Sequence, residues 1–215
     1  MEKDLGNYRK SYEKGSLLEH TMSKDPFDLF QLWFDEVDTH FQETETNAMT
    51  LSTVGNDGFP KSRVVLLKKF NSAGFVFFTN YKSEKAKALL NSPKCCLSFH
   101  WESAERQVII KGVADKIDPV ESDAYFLSRP KGSQLGAWAS KQSTIIKNRA
   151  VLDSELESLK IEYKNKPLKR PEFGGGYIVK PVEMEFWQGR ANRLHDRIRF
   201  KFSVDNNWDI DRLSP

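Results

Sequence analysis

The sequence predicts an antiparallel α+β domain whose strands close partly into a barrel, and three observations carry that prediction. About seven short β-rich runs follow one another in hairpin order. The turns between them hold the glycine, asparagine and aspartate that tight hairpins need. Helical segments are inserted among the strands instead of alternating with them, which argues against a doubly wound parallel sheet. Partial closure is expected because it removes edges that so much strand would expose. The 215 residues, 39% hydrophobic and 29% charged, can bury a core without metals or disulfides.

Residues 1–24 are a polar arm carrying Arg9, Lys10, Tyr12 and Lys14 without apolar periodicity, so it is mobile or folds over something. Residues 25–215 are expected to form the single domain. Asp25-Pro26 reads as an N-cap with proline at the first helical position. Phe27, Phe30, Phe34, Val37 and Phe41 then recur at steps of three and four, predicting a helix to about residue 42. Runs 48–54, 61–70 and 75–79 are separated by Gly55-Asn56-Asp57-Gly58 and Asn71-Ser72-Ala73-Gly74, predicting a three-stranded meander. Ser83 caps a short helix through Leu90, and runs 94–101 and 107–117 pair across Glu102-Ser103-Ala104-Glu105. Helices are predicted over 119–128, ending at Arg129-Pro130, and over 142–164. Gly174-Gly175-Gly176 reads as a loop before a strand over 177–187, and a last pair, 192–204 and 208–212, closes across Asp205-Asn206-Asn207.

Charge and composition exclude several classes. With 33 Lys and Arg against 30 Asp and Glu, the net charge of +3 is too small for nucleic-acid binding by bulk electrostatics. No run approaches 18 apolar residues and Met1-Glu2-Lys3-Asp4 opens no signal-type segment, so a cytoplasmic protein without membrane partners is expected. Cys95 and Cys96 are neighbours facing opposite sides of a strand, and His20, His40, His100 and His195 fall in no ligand spacing; no metal is expected.

Local cationic segments carry the chemistry. In the strand expected over 192–204, Arg193, His195, Arg197, Arg199 and Lys201 share a face with few neutralising neighbours, Asp196 being of opposite parity; an anionic ligand would relieve the repulsion, although solvated surface charge explains the pattern equally well. Arg63 and Lys68 bracket an apolar strand centre with opposite parity, so a shared site would need a bulge or backbone contacts. The helix start at Ser83 offers free amides to a phosphate, helped by Lys82 and Lys85 and opposed by Glu84. Tyr125 and Arg129 share a helix face, Trp187 and Gln188 stand at a strand end, and the charged stretch 164–170 reads as a solvated loop. From residues alone the protein is an α+β barrel suited to phosphorylated ligands.

Taken in order, several segments resemble a known family: Arg63-Val64-Val65-Leu66-Leu67-Lys68, Phe78-Thr79-Asn80, Glu105-Arg106-Gln107-Val108, Tyr125-Phe126-Leu127-Ser128-Arg129-Pro130 and Ser133-Gln134-Leu135-Gly136-Ala137-Trp138. Ser140-Lys141-Gln142-Ser143, Glu185-Phe186-Trp187-Gln188-Gly189, Arg193-Leu194-His195-Asp196-Arg197 and the ending Ile210-Asp211-Arg212-Leu213-Ser214-Pro215 complete the set. From about residue 8 to 215 the chain is similar to the pyridoxine/pyridoxamine 5′-phosphate oxidases, FMN enzymes that make pyridoxal 5′-phosphate. The resemblance implies an antiparallel split β-barrel of the FMN-binding type with surrounding helices, forming a homodimer with FMN between subunits.

By matching position, FMN is expected on Arg63, Val64, Val65, Leu66, Leu67, Lys68, Phe78, Thr79, Lys85, Gln107, Gln142, Ser143, Trp187 and Arg197. The substrate, pyridoxamine or pyridoxine 5′-phosphate, is expected on Lys68, Tyr125, Arg129, Ser133, Arg193 and His195, with Arg193 and His195 catalytic and oxygen reoxidising the flavin to give hydrogen peroxide. Arg9 to Tyr12 resemble the family's segment that folds over the active site. Two positions depart from the pattern: Glu84 stands where an arginine is usual, and Phe78 where tyrosine is frequent. Two other readings compete. A split-barrel flavoprotein with another activity, such as a flavin reductase, has no reason to carry the substrate set; a nucleic-acid binder using residues 193–201 is disfavoured by the near-neutral charge.

Overall fold

The computed structural model describes residues 3–41 and 43–215; the first two residues of the arm, and residue 42 at the expected end of the first helix, lie outside the described residues. In chain order the elements are α1 (Pro26–His40), β1 (Ala48–Val54), β2 (Pro60–Leu66), β3 (Lys69–Asn71), β4 (Gly74–Asn80), α2 (Glu84–Asn91), β5 (Lys94–Trp101) and β6 (Arg106–Lys116). There follow α3 (Pro119–Ser128), α4 (Lys131–Ala139), α5 (Arg149–Glu162), β7 (Gly174–Gln188), β8 (Asp196–Phe202) and β9 (Trp208–Arg212). Among the described residues the strands hydrogen-bond in the order β2-β1-β5-β6-β7-β4-β3, with β8 on β7 and β9 on β8. No helix is long and apolar enough to cross a membrane among the described residues.

The chain forms two compact units. One comprises the chain through Thr50 with Cys96–Lys111 and Pro181–Pro215; the other comprises Leu51–Cys95 and Gly112–Lys180. In the first, Asp25 caps α1 by accepting from the amides of Phe27 at 2.7 Å and Asp28 at 3.3 Å. The buried stripe Leu29, Phe30, Trp33 and Val37 follows the helical period. Phe30 packs on Phe99 at 5.1 Å, Trp33 on Phe186 at 5.3 Å and Phe186 on Phe200 at 5.6 Å. Each such side chain, fully buried, contributes roughly 1.5–3 kcal/mol by area. In the second unit Phe75, Val76 and Phe77 of β4 are buried, and Phe126, Leu135, Leu159 and Leu168 form a smaller core under α3, α4 and α5.

Five expectations are corrected. The strand expected over 61–70 is two strands, β2 and β3, separated by buried Leu67 and by Lys68. The expected meander is interrupted at that break: β1 pairs with β2 and β4 with β3, and β4 takes β7 on its other side. The helix expected over 142–164 starts only at Arg149: Ser143 has φ +68°, a left-handed backbone that no helix admits, and the helix Lys131–Ala139 escaped notice behind its two glycines. Gly174-Gly175-Gly176 is not a loop but the first turn-free part of β7, in register with Asn80, Thr79 and Phe78. The last hairpin begins at Asp196, since Asn192 at φ +58° and Arg193 at φ +62° break any strand before it.

That last correction changes the charge argument. Arg193 and His195 do not lie on the strand face, and two of the cations that do, Arg197 and Arg199, are met from neighbouring strands. Arg197 pairs with Glu185 at 2.8 Å and Arg199 with Asp211 at 2.6 Å, so parity along one strand missed the neutralising cross-strand partners.

Candidate active site

The break after β2 builds the larger cavity, about 700 Å³, which lies wholly within the second unit. Leu67 turns into the core and the Lys68 amide donates to the Val76 carbonyl at 2.8 Å. Arg63 and Lys68, of opposite parity in an unbroken strand, both line the cavity. Their companions include Val64, Val65, Leu66, Phe78, Thr79, Lys85, Tyr125, Arg129, Ser133 and Gln142. Twelve of the expected site residues are thus brought together.

Two cations define one end. The Arg63 guanidinium donates to Thr53 Oγ1 at 2.7 Å and to the Leu51 carbonyl at 3.2 Å. Lys85 Nζ lies 3.2 Å from both Thr79 Oγ1 and Gln142 Oε1. Neither is in an ion pair among the described residues. Burial lowers the pKa of both, and Arg63 lowers that of Lys85 further by repulsion, with Glu84 opposing in each case. Positive charge held this way favours an anion. Glu84 itself pairs with Lys61 at 2.5 Å, Lys82 lies over the Phe173 ring at 5.5 Å, and the Glu84 amide donates to Ser143 Oγ at 3.3 Å. Ser143 therefore adjoins the start of α2 without lining the cavity.

A second group lines the same cavity. Phe78 and Tyr125 stack with ring centroids 3.6 Å apart, and burial raises the Tyr125 phenol pKa while Arg129 pulls it down. Gln134 Nε2 donates to the Arg129 carbonyl at 2.8 Å, which fixes the corner where α3 ends and presents Arg129 and Ser133 to the cavity. Arg170, in the stretch expected to be a solvated loop, carried no local signal of a site role. It lines the cavity, holds Asp123 at 2.7 Å and donates to the Gly174 carbonyl. The glycine triplet was the available signal: a Cβ on Gly175 would collide with the Tyr81 ring, whose hydroxyl donates to the Gly176 carbonyl at 2.9 Å.

The other expected residues lie in the first unit. Trp187 and His195 rings stand 4.7 Å apart, and Tyr12 of the arm lies 5.7 Å from each. The Arg190 amide donates to His195 Nδ1 at 3.1 Å. Buried Asp196 accepts from Arg190 at 3.1 Å, Arg212 at 2.9 Å and the Leu17 amide at 3.0 Å. Arg193 is exposed, Gln107 is half-buried on β6, and Arg197 is opposite Trp187 in the β7–β8 register. Arg9 does not join the ring cluster: it donates to the Gly6 carbonyl within the arm's own turn.

The donor set fits FMN. Arg63 and Lys85 suit a phosphate, Thr79 and Gln142 supply neutral polar groups, and the Phe78–Tyr125 pair with the Val64 to Leu66 backbone suits a flat ring system.

The chain is similar to known proteins. The chain overlays on PhzG from Burkholderia lata 383, solved with tetrahydrophenazine-1-carboxylic acid, with TM-score 0.87 and 26% identity over 96% of this chain and 100% of that one. It overlays on a pyridoxamine 5′-phosphate oxidase-related, FMN binding protein from Nostoc punctiforme with TM-score 0.68 and 15% identity, covering 90% and 100% of the two chains. The fold is accordingly the α+β split barrel of FMN-binding proteins. Residues 34–162 match the family model described as pyridoxamine 5′-phosphate oxidase, and residues 175–215 the one described as pyridoxine 5′-phosphate oxidase C-terminal dimerisation region. A relative from Flavobacterium johnsoniae named pyridoxine/pyridoxamine 5′-phosphate oxidase is 58% identical over 98% of this chain and 99% of its own length. The chain belongs to the pyridoxine/pyridoxamine 5′-phosphate oxidase family.

Proposed function

We infer that this chain is an FMN-dependent oxidase that converts pyridoxamine 5′-phosphate and pyridoxine 5′-phosphate to pyridoxal 5′-phosphate, consuming oxygen and releasing hydrogen peroxide, with ammonia from the amine. Full-length relatives of that name support the reading. The single observation that carries it in the structure is the gathering of Arg63, Lys68, Lys85 and Arg129 around one cavity with the Phe78–Tyr125 stack. Four cations and an aromatic face are what two phosphorylated, planar molecules require.

Arg63 and Lys85 take the FMN phosphate, with Thr79, Gln142 and Ser143 beside them and residues 63–68 and Phe78 along the flavin. Gln107, Trp187 and Arg197 complete the flavin set of this reading, with FMN between subunits, and the C-terminal dimerisation region supports the homodimer this needs. Lys68, Tyr125, Arg129 and Ser133 hold the substrate phosphate, so binding energy there orients a remote carbon. When bound, FMN supplies the redox chemistry, taking a hydride equivalent from substrate C4′ and passing the electrons to oxygen. Arg193 and His195 orient the pyridine ring and help move a proton, Tyr12 lies against His195, and Arg9 belongs to the same arm. A cytoplasmic setting completes the reading, supported by family membership.

Anaerobic addition of pyridoxamine 5′-phosphate to the FMN-loaded protein tests it. Flavin absorbance should bleach, and recover in air with pyridoxal 5′-phosphate in solution. Bound flavin that never bleaches would point to a different substrate, and failure to bind flavin would remove the assignment altogether.

A further inference from the structure

We propose that Glu105 is a positioning residue for this reaction, the receptor that seats the N-terminal arm so that Tyr12 bears on His195; the proposal rests on the role given to His195 above. The Glu105 side chain is only 3% exposed. Its Oε2 accepts from the amides of Glu13 at 2.7 Å and Lys14 at 3.0 Å, and Lys10 Nζ stands 3.9 Å from Oε1. Every partner of this carboxylate among the described residues is therefore a group of the arm. A buried carboxylate is costly when unpaired, so release of the arm strands it and docking satisfies it.

The backbone of Glu105 links that receptor to the ring cluster. It has φ +56°, in the left-handed region after a single 3₁₀ turn over Glu102–Ala104. Its carbonyl accepts from the Gly189 amide at 2.8 Å, two residues beyond Trp187. A Cβ on Gly189 would stand 2.8 Å from Tyr12 Cγ and 3.2 Å from Glu105 Cβ, so the missing side chain is what admits the Tyr12 ring. Tyr12 immediately precedes the two pinned amides and lies 5.7 Å from both Trp187 and His195. Asparagine or glycine would suit the left-handed turn better than glutamate. The turn alone does not account for a glutamate here; the reach of its carboxylate to the arm does.

The test uses the FMN-loaded enzyme and the variants Glu105→Gln, Tyr12→Ala and their combination. Glu105→Gln should raise KM for pyridoxamine 5′-phosphate about tenfold with kcat within about twofold, and Tyr12→Ala should do the same. The double variant should be no worse than the poorer single one, since both act through one contact. Trypsin should cut after Lys14 about tenfold faster in Glu105→Gln at an unchanged melting temperature. Glu105→Asn, comfortable in the turn but too short to reach the arm, should behave alike and serves if the glutamine variant does not fold. Unchanged cleavage overturns the proposal whatever the activity does. Faster cleavage with unchanged KM, or additive KM effects, overturns the positioning role. Wild-type protein that oxidises nothing would sink the oxidase reading, while the cleavage rates would still decide whether Glu105 seats the arm.

Discussion

The amide of Arg190 donates to Nδ1 of His195 at 3.1 Å, and this fixes which nitrogen of the neutral imidazole carries the proton. With Nδ1 engaged as an acceptor, the hydrogen resides on Nε2. In the proposed oxidase the Nε2–H would then be the group offered to the substrate. Nitrogen-15 spectra of histidine-labelled protein should show the Nε2–H tautomer; an Nδ1–H pattern would contradict the geometry. His195→Gln, which keeps a donor, should reduce flavin about tenfold faster than His195→Phe, with FMN retained by both.

Lys85 gives a pH signature. Burial, then repulsion from Arg63, lowers its pKa below the ordinary lysine value, so the folded protein holds fewer protons than the unfolded chain in that window. Stability of the flavin-free protein should accordingly rise with pH through the window, while FMN affinity falls as the charge is lost. Urea titrations and flavin titrations across alkaline pH measure the two slopes, and Lys85→Met should abolish both.

Glu84 faces Lys61 and opposes the cations of the cavity. Replacing it with arginine removes an opposing carboxylate and adds a cation in the first turn of α2. FMN should bind roughly three- to tenfold more tightly in a fluorescence titration, an effect that shrinks with added salt.

Acid should weaken the arm's attachment at a defined point. Glu19 is held down to about 2 chiefly by its hydrogen bonds to Arg212, at 2.6 and 2.8 Å. A carboxylate depressed in the fold contributes stability that is full above its unfolded value, near 4.5, and lost as pH falls toward 2. Glu19→Gln should flatten this part of the acid unfolding curve monitored by circular dichroism.

Most of the fold was legible because local signals and tertiary context agreed. Asp25-Pro26 started a helix, Ser83 capped another, and Pro119 opened a third, each at the residue where a capping group and an apolar period coincide. The failures share a different cause. Leu67 looks like any apolar strand residue, and nothing local says that the ladder ends beside it. Gly174 to Gly176 read as a loop because the reason for glycine, the approach of Tyr81, comes from 94 or so residues away. The cavity residues were found by family resemblance where spacing left alternatives, and Arg170 was missed by both because its partners Asp123 and Gly174 are set only by folding.

Asp196 accepts from Leu17 and from Arg212, and Arg212 in turn holds Glu19, so the two ends of the chain are stitched at one carboxylate. The order of synthesis then acquires a consequence. The arm leaves the ribosome well before its anchor, so until Asp196 and Arg212 are made Leu17 and Glu19 lack these partners. A nascent chain lacking β9 will carry an open arm, which fastens only once Arg212 has been made and folded onto Asp196.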